Sequence, residues 1–424
     1  MVPRQEIKLN RPLYVMLKPV GARCNLACDY CYYLSKQKIY ESSPRHLMSE
    51  SLLELFIQEY ISAQTTDEVL FTWHGGEPLL RPLSFYRRAI ELQRKYADGK
   101  TISNALQTNG TLITEEWARF LHDEGWLVGV SIDGPQEFHD TCRRTPDNRP
   151  SWAKVRKGID LLNRFQVEWN AMAVVNAVNA DHPLDFYRFF RDDLQCRYLQ
   201  FAPIVETEPS ISRQGTEQRV QSRTRSNYAE SRRNSNKGQG ARNKGLIPPL
   251  QGRLGEVTLA PLTITPIQWG NFLCAIFDEW ISHGDAGEMF VQLFDATLAN
   301  WCGITPGVCT MARSCGHAAV MEWNGDVYAC DHFVFPQYKL GNLKEQHLVE
   351  MMYGPRQTDF SHIKQDQLSD DCRQCEWLFA CNGECPKNRI LPGRRNYLCE
   401  GYRHFFSHVA PWMDNAKRQL QGRV

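Results

Sequence analysis

Short apolar runs alternate with longer amphipathic stretches through the first half of the chain. Apolar and β-branched residues concentrate at 13–18, 69–73, 101–107, 127–132, 168–175 and 198–204, and each run reads as a strand. Between them, apolar positions three and four apart predict helices over 49–64, 84–96, 114–124, 153–165 and 184–191. Alternation of this kind predicts a parallel sheet with crossover helices. Six strand–helix units fall short of a closed eight-stranded barrel. The expected fold class is therefore α/β, a partial (β/α)6 TIM-like barrel or an open sheet, with its chemistry at the C-terminal ends of the strands.

The pattern stops near residue 206. Residues 206–256 are rich in Ser, Arg, Asn, Gln and Gly, as in Arg223-Thr224-Arg225-Ser226 and Arg232-Arg233-Asn234-Ser235, with almost no aromatics. Such a stretch buries too little apolar surface to offset chain entropy, so it reads as a disordered basic insertion or linker. Its arginines could meet RNA or an acidic partner, but a solvated linker is the simpler reading. From 257 onward a helical pattern covers 269–282. Most of the remaining cysteines follow among Gly, Asn and Pro, as in a loop-rich region held by metal rather than by a large core. The expected division is 1–205, 206–256 and 257–424.

Charge and length narrow the class. The 424 residues are 42% hydrophobic, and 49 Lys+Arg against 48 Asp+Glu leave a formal charge of +1. That balance gives no electrostatic basis for nucleic acid or an anionic membrane as the main partner. No apolar run is long enough to span a bilayer. Met1-Val2-Pro3-Arg4-Gln5-Glu6 lacks the apolar centre of a signal peptide. A cytoplasmic protein is expected, and there the 15 cysteines read as metal ligands rather than disulfide partners.

Their spacing carries the chemistry. Cys24, Cys28 and Cys31 follow the first strand as C-x3-C-x2-C. Three thiolates on one loop can ligate three irons of a 4Fe–4S cluster and leave the fourth open to a chelating substrate. The competing reading is zinc, which wants four closed ligands; His46 is the nearest candidate fourth, well outside the loop. Further on lie Cys309, Cys315 and Cys330, then Cys372, Cys375, Cys381, Cys385 and Cys399, enough for two four-cysteine clusters or a pair of zinc sites. Cys142, Cys196, Cys274 and Cys302 fit neither pattern and read as ordinary buried or half-buried thiols. Asp331 directly follows Cys330, and a carboxylate there could take a proton from a substrate thiol or hydroxyl, or be a plain loop residue.

The first motif resembles the signature of the radical S-adenosylmethionine (SAM) superfamily. Three further features agree: Gly75-Gly76-Glu77-Pro78 after the second strand, Tyr33 two residues past the third cysteine, and Ser131-Ile132-Asp133-Gly134-Pro135 at the end of the fourth. The resemblance implies that Gly75, Gly76 and Glu77 hold the SAM amino group, that Tyr33 lies near the adenine, and that Ser131 contacts the ribose or carboxylate. His74 stands where similar proteins often carry Gln. The later cysteines, with Gly325 five residues before Cys330, resemble the SPASM domain of peptide-modifying radical SAM enzymes. That resemblance groups Cys309, Cys315, Cys330 and Cys385 around one auxiliary cluster and Cys372, Cys375, Cys381 and Cys399 around the other. Three 4Fe–4S clusters and SAM are the implied cofactors.

More narrowly, Phe290-Val291-Gln292-Leu293-Phe294-Asp295, Cys330-Asp331-His332-Phe333-Val334, Cys381-Asn382-Gly383-Glu384-Cys385-Pro386-Lys387 and Tyr402-Arg403-His404-Phe405-Phe406 are similar to the anaerobic sulfatase-maturating enzymes. The resemblance runs from about 13 to 412, broken by the basic insertion. It implies oxidation of a sulfatase Cys or Ser to Cα-formylglycine, with Asp331 as the general base and the second electron leaving through the nearer auxiliary cluster. It implies an unfolded or nascent sulfatase as partner, a flavodoxin or ferredoxin as electron donor, and a monomer. Two alternatives stand beside it: a SPASM enzyme that crosslinks ribosomal peptides, and a non-catalytic zinc-binding adaptor.

Overall fold

In the computed structural model the described residues are 12–40, 46–207, 253–254, 257–315 and 318–422. Most of the predicted insertion lies outside them. The strands β1 (Val15–Lys18), β2 (Glu68–Trp73), β3 (Thr101–Thr108), β4 (Leu127–Ser131), β5 (Trp169–Val175) and β6 (Tyr198–Pro203) lie side by side in chain order, and every pair is parallel. Their crossovers carry α1 (Glu50–Ser62), α2 (Leu83–Tyr96), α3 (Glu115–Asp123), α4 (Gln136–Cys142) with α5 (Trp152–Arg164), and α6 (Pro183–Arg188). This is the predicted partial (β/α)6 barrel. Polar caps start its helices: the Ser49 hydroxyl accepts from the Leu52 N–H at 3.2 Å and the Thr114 hydroxyl from Trp117 at 3.3 Å.

The C-terminal half extends the same sheet at both edges. After a small pair, β7 (Arg253–Leu254) with β8 (Val257–Thr258), the strand β9 (Phe290–Val291) joins β6 in parallel. On the far side β10 (Ala319–Glu322) runs parallel to β1, and β11 (Asp326–Tyr328) and β12 (Lys339–Asn342) continue it antiparallel. The result is ten strands, ordered β12-β11-β10-β1-β2-β3-β4-β5-β6-β9.

The C-terminal half also holds more core than its loop-rich sequence suggests. The helix α7 (Pro266–Ser282), opened by a capping box between Thr265 and Gln268, packs on α10 (Cys399–Gln421), with α8 (Gln292–Trp301) beside them and α9 (Pro355–Asp366) nearer β12. Phe277, Phe294 and Phe405 meet there, with ring centroids 5.2 Å and 5.6 Å apart. A Cβ on Gly401 would stand 2.2 Å from the Pro266 carbonyl, so this crossing closes only on glycine. One continuous set of buried apolar side chains runs from Leu13, just before β1, to Met413 on α10. Each large side chain fully buried there contributes about 1.5–3 kcal/mol.

Candidate active site

The three-cysteine loop leaves β1 through a turn and is anchored by backbone bonds. Ala27 N–H donates to the Arg144 carbonyl at 2.7 Å and Asp29 N–H to Cys142 at 3.1 Å. Cys24, Cys28 and Cys31 lie close enough that Cys24 and Cys31 raise the pKa of Cys28, and Cys31 that of Cys24. Burial is the larger cause and pushes Cys24 up to about 12, with the Glu77 carboxylate adding to it. Buried thiols of this kind release their protons when cationic iron binds. His46, the nearest candidate fourth ligand along the chain, is engaged elsewhere: it stacks on Trp323 at 5.1 Å and its Nε2 lies 3.1 Å from the Tyr40 carbonyl oxygen.

The Gly75-Gly76-Glu77-Pro78 turn packs directly under this loop. Gly76 N–H donates to the Gly21 carbonyl and Glu77 N–H to Arg23, both at 2.8 Å. A Cβ on Gly76 would stand 2.1 Å from the Arg23 oxygen, so only glycine permits the approach. The Glu77 carboxylate is fully buried and accepts from Leu79 N–H at 2.9 Å, Thr108 Oγ1 at 2.8 Å and Asn109 N–H at 2.8 Å. Burial nevertheless holds its pKa up at about 7. These contacts tie the turn to the end of β3. Ser131, at the end of β4, accepts from Gln107 Nε2 at 3.0 Å. Two residues on, buried Asp133 accepts from Tyr30 OH, from Arg143 Nε at 3.0 Å and from Val174 N–H at 2.9 Å. Tyr30, Asp133 and Arg143 thus clamp the cysteine loop, a role the motif search did not assign to them. Tyr33 is turned the other way: its hydroxyl bonds Glu322 and its ring lies under the Lys18 ammonium, 3.2 Å from the centroid.

Asp331 sits over the same strand ends. Strand register places Lys18 on β1 beside Glu322 on β10. The His74 N–H bond to the Leu17 carbonyl, 2.8 Å, extends the β1–β2 pairing to Lys18 and His74. Glu322, Lys18 and His74 therefore form a row across three parallel strands at the lip of the sheet. The fully buried Lys18 forms an ion pair with Asp331, and Tyr32 OH donates to its other oxygen. Burial alone would raise the Asp331 pKa. The Lys18 charge first, then His74 and His332, outweigh it and hold the carboxyl well below its usual range. The Asp331 side chain keeps 14% exposure, so the carboxylate is not wholly closed off at the strand ends. Lys18 and Glu322 carried no sequence signal beyond their polarity at the ends of strands.

The auxiliary cysteines lie near one another in two groups. Cys330 feels the charges of Cys309 and Cys315, and Cys385 those of Cys330 and Cys309. Cys381 feels Cys372, Cys399 and Cys375, and these four line a cavity of about 560 Å³ with Trp377, Arg395 and Tyr402. Four thiols around a space of this size suit a cluster better than a single ion. Among the described residues, no three His, Cys, Asp or Glu side chains converge tightly enough to share one metal ion. Two buried cations lie beside these cysteines, Lys364 near Cys309, Cys315 and Cys385, and Arg389 near both groups. Lys364 on α9 donates to the carbonyls of Cys309 at 2.9 Å and Thr310 at 2.6 Å, and Arg389 donates to Gly383 at 3.0 Å and Lys364 at 2.7 Å. Both feel the thiolate charges, as counter-ions to an anionic cluster must. Cys142, Cys196 and Cys274 are buried and Cys302 half-buried.

Comparison with known proteins places this geometry. The profile of the radical SAM superfamily matches residues 19–190, and that of SPASM, an iron-sulfur cluster-binding domain, matches 309–376. A serine-type anaerobic sulfatase-maturating enzyme of Bacteroides thetaiotaomicron is 55% identical over 419 residues, 97% of this chain and 93% of that protein. The chain belongs to the anaerobic sulfatase-maturating enzymes. Within that family, a serine-type enzyme of Klebsiella pneumoniae is 34% identical over 414 residues, covering 97% of this chain and 91% of its own length. A cysteine-type enzyme of Clostridium perfringens strain 13 is 28% identical over 417 residues, covering 97% and 100%. The solved structure of native anSMEcpe with bound AdoMet and the Cp18Cys peptide matches with a TM-score of 0.77 at 27% identity, over 96% of this chain and 99% of that one. Membership of this family sets aside both the zinc adaptor and the peptide crosslinker. Among the described residues no helix is long and apolar enough to cross a membrane.

Proposed function

We propose that this chain oxidises a serine of a sulfatase polypeptide to Cα-formylglycine, with Asp331 as the general base. The observation that carries the reading is the ionised Asp331 carboxylate, held by Lys18 and Tyr32 over the same strand ends that carry the three-thiol loop. The serine-type name of the relative at 55% identity supports serine over cysteine as the target.

Cys24, Cys28 and Cys31 would hold a 4Fe–4S cluster with one open iron for SAM. Gly75, Gly76, Glu77 and Ser131 shape the SAM pocket, with Tyr33 and His74 on its border. Cys309, Cys315, Cys330 and Cys385 would hold a second cluster, and Cys372, Cys375, Cys381 and Cys399 a third. When bound, these cofactors supply a carbon radical able to remove a hydrogen atom from Cβ and an acceptor for one electron. The chain supplies the rest. Asp331 takes the hydroxyl proton, and Lys18 fixes the carboxylate. One hydrogen atom, one proton and one electron leave, which balances oxidation of an alcohol to an aldehyde. The electron released equals the one consumed in cleaving SAM, so no external oxidant is needed. An extended, unfolded segment fits the requirement that Cβ reach the lip. The reductant is a low-potential donor of the flavodoxin or ferredoxin kind, and the protein acts as a cytoplasmic monomer. The matched profiles fall within 1–205 and 257–424, which supports that division with 206–256 as a linker.

The test is anaerobic turnover of paired peptides that carry Ser or Cys in a sulfatase sequence. Reduced protein with SAM should form 5′-deoxyadenosine and a serine peptide lighter by two hydrogens. Deoxyadenosine without a change in either peptide would refute the assignment.

A further inference from the structure

The His74 ring sits where the two halves of the site meet, and its two nitrogens are not equivalent. Its Nδ1 accepts the N–H of Gly75 at 2.7 Å. That bond fixes the neutral tautomer, so Nε2 carries the proton and is a donor. Burial lowers the pKa of the ring, in keeping with a neutral imidazole. Among the described residues no hydrogen-bond partner faces Nε2, and the ring is half-buried. The row Glu322–Lys18–His74 sets it next to the cation that holds Asp331. The lip therefore offers an acceptor, Asp331, beside a group that can only donate.

We propose that His74 donates its Nε2–H to the side-chain oxygen of the substrate serine, and so biases the site toward serine over cysteine. Asp331 accepts the hydroxyl proton while His74 donates to a lone pair of the same oxygen. The bond strengthens as the oxygen gains negative charge on losing its proton, and no proton leaves the imidazole. Sulfur accepts hydrogen bonds weakly, so a thiol gains little from this donor. The tautomer lock matters because a free side-chain amide could turn and present either its oxygen or its nitrogen, whereas this ring presents only N–H. His74 is thus a catalytic residue that touches the reacting atoms, and its role rests on the formylglycine reading above.

The experiment compares kcat/KM of the holoenzyme on two peptides that differ only in Ser against Cys, for wild type, His74→Leu, His74→Gln and His74→Asn. Leucine removes the donor, and the serine-to-cysteine ratio should fall by about 10-fold to 100-fold, mostly through kcat on serine. Glutamine can place an N–H near the Nε2 position and should keep serine turnover within about tenfold of wild type, with a ratio shifted toward cysteine. Asparagine reaches only the Nδ1 position and should behave like leucine. If the leucine variant fails to retain its clusters, the glutamine and asparagine pair decides, because both are small polar replacements. Equal ratios in those two, or a leucine ratio within about twofold of wild type, would overturn the proposal. Wild-type enzyme that modifies neither peptide would overturn the formylglycine reading itself, and this inference with it.

Discussion

Asp331 is under opposed pressures. Burial favours its neutral acid, while Lys18, His74 and His332 favour the carboxylate and prevail. A carboxylate this stabilised is a weak base, so it suits a hydroxyl proton only once hydrogen loss at Cβ has made that proton acidic. Asp331→Asn should leave deoxyadenosine formation in place and slow formylglycine formation about 10²-fold to 10⁴-fold, read by mass spectrometry against the nucleoside yield. Unchanged turnover would remove Asp331 from the role of base. Glu322 lies on the other side of Lys18 and shifts the opposite way: burial, only partly offset by Lys18, holds its pKa at about 7. For an acid raised in the folded state, the native form binds more protons than the unfolded chain between pH 4.5 and about 7. Its contribution is therefore complete below that window and lost as pH rises through it, by roughly 3 kcal/mol for a shift of this size. Glu322→Gln should flatten the stability of the chain across that window, measured by denaturant unfolding in a pH series.

The elements place these residues by contact between backbones more than by side chains. Gly76 lets the turn after β2 approach the cysteine loop with no intervening atom. Gly76→Ala should cost about 1–3 kcal/mol and displace the loop, so iron retention at the first site should fall more than the helical circular dichroism signal. A variant with full iron content would show that the approach has slack. On the auxiliary side, Lys364 and Arg389 lie beside the cysteines and satisfy loop carbonyls. The helix α9 therefore acts as a brace, carrying both a cation and the Ser361 carbonyl that accepts from Cys315 N–H at 3.1 Å.

Across the molecule, the sheet joins barrel and cysteine-rich half into one body: β10 closes against β1 and delivers Glu322 to Lys18, and Asp331 follows nine residues later. Neighbouring cysteines face different groups: Cys385 feels the charges of Cys330 and Cys309, whereas Cys381 feels those of Cys372, Cys399 and Cys375, and the proposed cluster sets therefore interleave. Cys375→Ala should remove one cluster of three and drop iron from about twelve to about eight per chain, with sulfide in parallel, while the first site still cleaves SAM. Retention of full iron would refute the grouping. Six strands, six helical patterns and the cysteine spacings were legible along the chain because each is a short-range signal: periodicity at 2 or 3.6, or ligands within one loop. β9 has only two residues and β10 stands alone among the cysteine-rich loops, outside any strand–helix alternation, so the joining of the halves was not legible. Tyr30 and Asp133 stood inside recognised motifs, yet their pairing spans 103 positions. Local pattern thus fixed which residues could bind iron and which segments could be strands. Folding alone decided that a lysine ending β1 would meet an aspartate 313 positions later, because that contact depends on long-range strand pairing that no local repeat encodes.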